Sequence, residues 1–98
     1  MGKLNVAIAD DNERIVQLLE NIVRNDKELE VVGKAGDGEE IVNIIKQKEP
    51  DVVLLDIVMP KMDGLSVMEK INRDSEIKKR PAFIVITAIG QEKITENA

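Results

Sequence analysis

The chain has 98 residues, a formal net charge of −5, no cysteine, no histidine and a single aromatic residue. This length fits one small domain whose core must be filled by Ile, Val, Leu and Met. The composition excludes disulfides, thiolate metal sites and histidine-based catalysis, and the acidic balance argues against direct binding of nucleic acid. No apolar run approaches the roughly 18 residues of a membrane span, and no signal peptide is visible, so we expect a cytoplasmic domain without membrane contact.

Apolar runs alternate with helical patterns along the chain. Strands are predicted at 3–9, 30–35, 51–56 and 82–87, the third being the most buried. The residues expected to face inward from the three intervening helices are Ile15, Leu18, Leu19, Ile22 and Val23, then Ile41, Ile44 and Ile45, then Leu65, Met68 and Ile71. A further polar helix would begin near Gly90. Strands that alternate with helices predict an α/β fold with a parallel sheet and right-handed crossovers.

Three acidic residues follow two of these strands. Asp10 and Asp11 end the first apolar run, and Asp56 ends the third. If the two strands are neighbours, the carboxylates meet at the carboxyl edge of the sheet, where open α/β sheets bind ligands. Clustered carboxylates repel one another unless a cation neutralises them, so the sequence predicts a divalent ion with oxygen ligands, best Mg²⁺. The alternative is that one of Asp10 and Asp11 caps the next helix while the other is solvated.

The residues at these strand ends suggest phosphoryl chemistry. A carboxylate such as Asp56 can act as a nucleophile and form an acyl phosphate, and a metal held by Asp11 and Asp56 would neutralise charge in that transfer. The alternative for Asp56 is capping of the following loop. Thr87 ends the last strand, where its hydroxyl could bond a phosphoryl oxygen while the small Ala88 leaves room. Gly64 is expected to permit the backbone turn that leads into the third helix.

Together these positions carry a resemblance to a known family. The motifs concerned are Asp10-Asp11, Asp56 with Met59-Pro60, Asp63-Gly64 and Thr87-Ala88. Over its whole length the chain resembles the receiver domain of two-component response regulators. Within that family, the stretches 6–12, 50–60 and 86–92 are most similar to the stage-zero sporulation master regulators of endospore-forming bacteria. The resemblance implies a flavodoxin-like, doubly wound parallel sheet with strand order 2-1-3-4.

The resemblance also implies roles for individual residues. Asp56 would accept a phosphoryl group from a phospho-histidine on a histidine kinase or phosphotransfer protein. Asp11 and Asp56 would bind Mg²⁺ directly, or Mn²⁺ or Ca²⁺ in its place. Asp10 would assist them, and the backbone carbonyl of Val58 would be a further ligand. Thr87 would contact the phosphoryl group and act as the switch. The positions with an implied structural role are Pro60, Gly64 and Ala88.

The resemblance predicts less than a complete receiver. A fifth strand, a lysine that pairs with the phosphoryl group and a fifth helix are not in the sequence, so we expect a receiver spanning 1–98, truncated at its carboxyl end, without its DNA-binding effector domain. Lys61 and Lys93 are expected to be solvated and not to replace that lysine. The bare strand 83–86 predicts association or element exchange with other receiver protomers. The segment would be no separate enzyme, but a phosphoacceptor that catalyses its own phosphoryl transfer and so switches a transcriptional effector.

Three other functions fit parts of the pattern. A haloacid-dehalogenase-like phosphatase needs a D-x-D nucleophile after its first strand, where Asp10 and Asp11 are adjacent. A flavodoxin-like cofactor binder needs a phosphate loop rich in Ser, Thr and Gly, where this chain has 10–13 Asp-Asp-Asn-Glu. A pseudo-receiver that acts only through protein contacts stays open as the alternative.

Overall fold

The structure is a computed structural model and describes residues 3–86. Its elements in chain order are β1 (Leu4–Ala9), α1 (Glu13–Arg24), β2 (Leu29–Ala35), α2 (Gly38–Lys48), β3 (Val52–Asp56), α3 (Gly64–Arg73) and β4 (Ala82–Ile86). The predicted alternation of strands and helices is confirmed over this range. The helix predicted near Gly90 lies outside the described residues.

The four strands form one parallel sheet in the order β2-β1-β3-β4, as predicted. β1 and β3 are neighbours, and their register places Ala9 opposite Leu55. The residues that follow, Asp10 and Asp56, therefore leave adjacent strands at the same edge of the sheet.

Helices cover both faces of the sheet. The larger core cluster lies between the sheet and the helices α2 and α3, and its members include Ala7, Ala9, Ile41, Ile45, Val53, Leu55, Val67 and Ile71. The smaller cluster lies under α1, and its buried members are Val6, Ile8 and Val23. Burial of these aliphatic side chains stabilises each helix on the sheet, because each is worth about 1.5–3 kcal/mol when fully removed from water.

The most buried strand is β1, and the prediction that β3 has this place is wrong. The last four residues of β1 are all buried, whereas burial alternates with partial exposure along β3. The difference follows from the position of α1, which packs on β1 and β2. Val52 and Leu54, which face the α1 side of β3, are therefore only partly covered.

The inner face of α1 also differs from the prediction. Leu18 and Ile22 were expected in the core but are 55% and 58% exposed. The residues that face the sheet are Val16, Leu19, Glu20 and Val23. The helix carries two apolar stripes at helical spacing, and the periodicity alone does not distinguish the stripe that meets the sheet.

The first turn of α3 shows a similar difference. Leu65 was expected to face inward but is 60% exposed. Val67 and Ile71 are fully buried and lie on one side of the helix with Gly64. Leu65 lies about 100° around the helix from Gly64, which takes its side chain away from the sheet.

Candidate metal centre

Three carboxylates meet at the carboxyl edge of the sheet. Asp10, Asp11 and Asp56 each offer one oxygen atom, and these oxygens lie within 4.8 Å of one another. The meeting follows from the β1–β3 pairing, because the first two residues come directly after β1 and Asp56 is the last residue of β3. The structure thus brings together the acidic residues that the sequence predicted to meet.

Local hydrogen bonds fix the direction of Asp10. This residue is 5% exposed, and its Oδ1 accepts the backbone N–H of Asn12 at 2.8 Å. Asn12 is the N-cap of α1, with its side-chain oxygen accepting from the N–H groups of Arg14 and Ile15. The alternative in which Asp10 or Asp11 caps α1 is therefore wrong. Both carboxylates face the acidic cluster, and Asn12 is the cap of the helix.

The electrostatics of the cluster favour a bound cation. Burial raises the pKa of the Asp10 carboxyl, and the charges of Asp56 and Asp11 raise it further, against the N–H of Asn12 that lowers it. Burial also raises the pKa of Asp56, with the Asp11 charge adding to it and the N–H of Val58 opposing it. Within residues 3–86 no Lys or Arg forms an ion pair with these carboxylates. Among the described residues the like charges of the cluster thus have no cationic partner, and an added cation or protons would neutralise them.

The loop after Asp56 continues the candidate site. Val58 donates its N–H to Oδ1 of Asp56 at 3.3 Å, and its side chain is exposed. Met59 is buried in the core, whereas Pro60 is exposed. The loop is thus held by Met59 on one side while Val58 stays at the surface near Asp56. The metal-ligand role of the Val58 carbonyl stays a prediction.

Position 64 needs glycine for a different physical reason from the one expected. No glycine in the described residues has a positive φ, so the turn into α3 does not depend on glycine's conformational freedom. Instead, a Cβ at Gly64 would lie 2.6 Å from the carbonyl oxygen of Asp56 and 2.9 Å from Cα of Ile57. The N–H of Gly64 donates to the carbonyl of Ile57 at 2.8 Å. Gly64 therefore lets the start of α3 lie directly against the backbone of Asp56.

Some predicted site residues are not tested by this geometry. Thr87 and Ala88 lie outside the described residues, as does Lys93. Lys61 has an exposed side chain, as predicted, and its Nζ lies 3.7 Å from a carboxylate oxygen of Asp37.

A second buried carboxylate, which the sequence did not reveal, lines the same groove as Asp10 and Asp11. Glu20 is 5% exposed, and its carboxylate pairs with Arg24 at 2.6 Å and with Lys34 at 3.2 Å. These hydrogen-bonded cations lower the pKa of Glu20, Lys34 having the larger effect. The sequence signal for burial of Glu20 is its position on the same side of α1 as Val16 and Val23. That position indicates burial only once this side of the helix is known to face the sheet.

The donor set of the acidic cluster fits a hard divalent ion. Asp10, Asp11 and Asp56 supply only carboxylate oxygens, which Mg²⁺ prefers, and it is usually held by one or two carboxylates with waters in the other positions. Asp11 is exposed, so the cluster is open to solvent on its side.

Comparison with known families agrees with this site. The family model of the response regulator receiver domain matches residues 6–98. This chain belongs to that family. Receiver domains bind Mg²⁺ through an acidic pocket and interact with histidine kinases or phosphotransfer proteins. The family prediction and the coarser prediction of a receiver function are confirmed.

Solved structures of receivers superpose well on the chain. The signal receiver domain of NarL from Mycobacterium tuberculosis has a TM-score of 0.81 and 32% identity, covering 90% of this chain and 68% of its own. CheY of Borrelia burgdorferi, in a complex with CheX, BeF3 and Mg²⁺, has a TM-score of 0.77 and 35% identity, and the match covers 96% of this chain and 69% of CheY. The REC domain of AraT from Geobacillus stearothermophilus has a TM-score of 0.77 and 32% identity, and the match covers 97% of this chain and 72% of the AraT chain. These descriptions do not mention sporulation, so that finer assignment stays a prediction.

No helix within residues 3–86 combines the length and the apolar character needed to cross a bilayer.

Proposed function

We propose that this receiver accepts a phosphoryl group on Asp56 from a phospho-histidine of a kinase or phosphotransfer protein. The observation that carries the proposal is the meeting of three carboxylate oxygens within 4.8 Å at the ends of β1 and β3. Such a cluster is costly without a cation, and a bound divalent ion is what phosphoryl transfer requires. The presence of Mg²⁺ with the related CheY supports the same choice of ion.

The geometry favours Asp56 over Asp10 as the acceptor. Asp10 is buried, and Oδ1 of its carboxylate accepts the N–H of Asn12, so an incoming phosphoryl group has little access to it. Asp56 is half-buried at the last position of β3, where Gly64 holds its backbone against α3. A carboxylate whose backbone is held in place in this way is suited to in-line attack.

The proposed step moves one phosphoryl group. A carboxylate oxygen of Asp56 forms a bond to phosphorus as the P–N bond to the donor imidazole breaks. The electron pair of that bond stays on the imidazole nitrogen, which then takes up a proton. When bound, Mg²⁺ supplies the charge neutralisation, held by Asp11 and Asp56 with help from Asp10 and the Val58 carbonyl. The product is an acyl phosphate on Asp56 and needs no further reactant.

The finer parts of the assignment belong to the same proposal. Thr87 would bond the phosphoryl group and transmit its presence, and the output would be a transcriptional effector in the cytoplasm. Sporulation control rests on the sequence stretches 6–12, 50–60 and 86–92 alone. Association with other receiver protomers is supported by Ile84 and Val85 of β4, which are exposed in the described residues.

Intact-mass spectrometry tests the acceptor directly. The protein is incubated with Mg²⁺ and a small acyl-phosphate donor, and we expect the mass of one added phosphoryl group, which hydroxylamine removes. Asp56→Asn should abolish the adduct. Asp51→Asn is the matched control, because Asp51 directly precedes β3 at the end opposite Asp56, where it pairs with Lys79 and accepts the N–H of Asn5.

Two outcomes would contradict the proposal. An adduct that persists in Asp56→Asn would place the acceptor elsewhere. A folded protein that binds Mg²⁺ but takes no phosphoryl group from either the acyl phosphate or a phosphorylated phosphotransfer protein would favour the pseudo-receiver.

A further inference from the structure

We propose that Gly38 is a positioning residue for the metal site. Its missing side chain lets the start of α2 lie against the loop between β3 and α3, here called the β3–α3 loop (residues 57–63), and this contact fixes the loop that follows Asp56. The inference rests on the proposed function, because the loop matters to the reaction only if Asp56 and Val58 serve the metal and the phosphoryl group.

The contact at Gly38 is too close for any side chain. A Cβ added there would collide with the carbonyl oxygen of Met62 and lie 2.5 Å from its Cβ. Gly38 does not have a positive φ, so its backbone conformation is open to other residues. The close approach to Met62 is therefore the reason this position needs glycine. The atoms in the way belong mainly to the loop backbone, which yields less readily than the end of a flexible side chain.

A second contact joins the same two segments. Asp37, which precedes Gly38, is the N-cap of α2 and accepts the N–H of Glu40 at 2.9 Å. Its other carboxylate oxygen lies 3.7 Å from Nζ of Lys61 in the β3–α3 loop. Lys61 has a φ of 68°, in the left-handed region that residues with side chains rarely occupy. The surroundings thus hold this part of the loop in a costly conformation.

Two glycine contacts fix the loop, one where it meets α3 and one at Met62. Gly64 holds its carboxyl-terminal end against the backbone of Asp56 and Ile57, as described above. Gly38 holds its outer part at Met62, whose N–H also donates to the carbonyl of Pro60 at 2.7 Å. A displacement at Met62 must therefore be taken up by the few residues between it and Asp56, and Val58 lies among them.

Metal affinity of a Gly38→Ala variant tests this role. The added methyl group should push the β3–α3 loop outward and disturb the surroundings of Asp56. We expect the dissociation constant for Mn²⁺, measured by water-proton relaxation, to rise about tenfold, since changes just outside the ligands weaken metal binding by roughly 10–100-fold. Urea unfolding of the metal-free variant shows how much of the protein is folded in the titration.

Two glycine variants serve as matched controls. A Cβ at Gly36, in the same β2–α2 turn, would meet only the Glu40 carboxylate at 3.7 Å, so Gly36→Ala should leave Mn²⁺ affinity unchanged. A Cβ at Gly33 would lie 2.8 Å from Cγ2 of Ile44. This close contact would strain the packing of α2 on the sheet without contacting the β3–α3 loop. Gly33→Ala should therefore lower stability while Mn²⁺ affinity stays near that of the wild type.

The outcomes separate this inference from the proposed function. If the wild type does not bind Mn²⁺, the proposed function fails and the inference falls with it. If the wild type binds and folded Gly38→Ala binds equally well, Gly38 has no positioning role. If Gly38→Ala does not fold, hydrogen exchange of the wild type decides: Mg²⁺ should slow the Ile41 amide, which bonds to Asp37 in the first turn of α2. An unchanged Ile41 rate at saturating Mg²⁺ would overturn the inference.

Discussion

Glu20 and Asp10 are equally buried carboxylates on one groove, but they have opposite surroundings. Glu20 lies between Arg24 and Lys34, and these cations lower its pKa. Asp10 lies beside Asp11 and Asp56, and burial together with their charges raises its pKa. Within residues 3–86, side chains of the protein therefore neutralise Glu20, whereas Asp10 has no cationic partner there. Of these two carboxylates, only Asp10 therefore offers a binding site for a cation.

The largest expected effect comes from supplying that cation. If Mg²⁺ binds the folded protein as proposed, and not the unfolded chain, a concentration of about 100 times the dissociation constant should raise the free energy of unfolding by about 2.7 kcal/mol. Urea unfolding with MgCl₂, against NaCl of equal ionic strength, measures this gain. Glu20→Gln should keep the gain and Asp10→Asn should lose much of it. An equal gain in all three proteins would mean that the ion acts elsewhere.

The next effect comes from breaking the neutralised cluster. Glu20→Gln leaves Arg24 and Lys34 without their shared carboxylate, and we expect the melting temperature to fall by several degrees at neutral pH. The pKa of Glu20 is lowered in the folded state, so its contribution to stability is present above the ordinary value and is lost as pH falls through the lowered one. The deficit of the variant should therefore shrink in acid. Glu13→Gln is the control, because Glu13 is an exposed residue of the same helix.

The smallest effect comes from relieving the other cluster without metal. Asp10→Asn keeps an oxygen for the N–H of Asn12 but removes one charge, and should raise the free energy of unfolding at neutral pH. The pKa of Asp10 is raised, so the stability linked to its protonation is complete below the unfolded value and is lost as pH rises through the folded one. The advantage of the variant should thus grow from acidic to neutral pH in EDTA. A constant advantage would argue against repulsion as its cause.

The acidic cluster was predictable because it depends on rules that act along the chain. Each apolar run ends at a definite residue, and alternation with helices makes the strands parallel. Once β1 and β3 are taken as neighbours, Asp10 and Asp56 must meet at one edge. The strand order itself was expected from the family resemblance and is confirmed by the pairing.

The parts that the sequence did not predict depend on contacts between distant segments. Ile22 and Val23 are both apolar and adjacent, and only packing on β1 and β2 decides that Val23 is buried. The position of Glu20 among cations needs the same information, because Lys34 comes from another element. The need for glycine at position 38 arises from Met62, which is remote along the chain. No local pattern records such a close approach.

Because the proposed metal ligands follow both β1 and β3, metal binding would report whether these two strands are paired in the correct register. The acidic ligands come from two strands paired as Val6 with Val52 through Ala9 with Leu55. If β3 slipped by a single residue, its side chains would exchange faces of the sheet, and Asp56 would turn away from Asp10 and Asp11. A misregistered sheet would keep its helices and its circular dichroism but would lose the proposed metal site. A metal titration therefore distinguishes correctly aligned molecules from compact molecules that only resemble them.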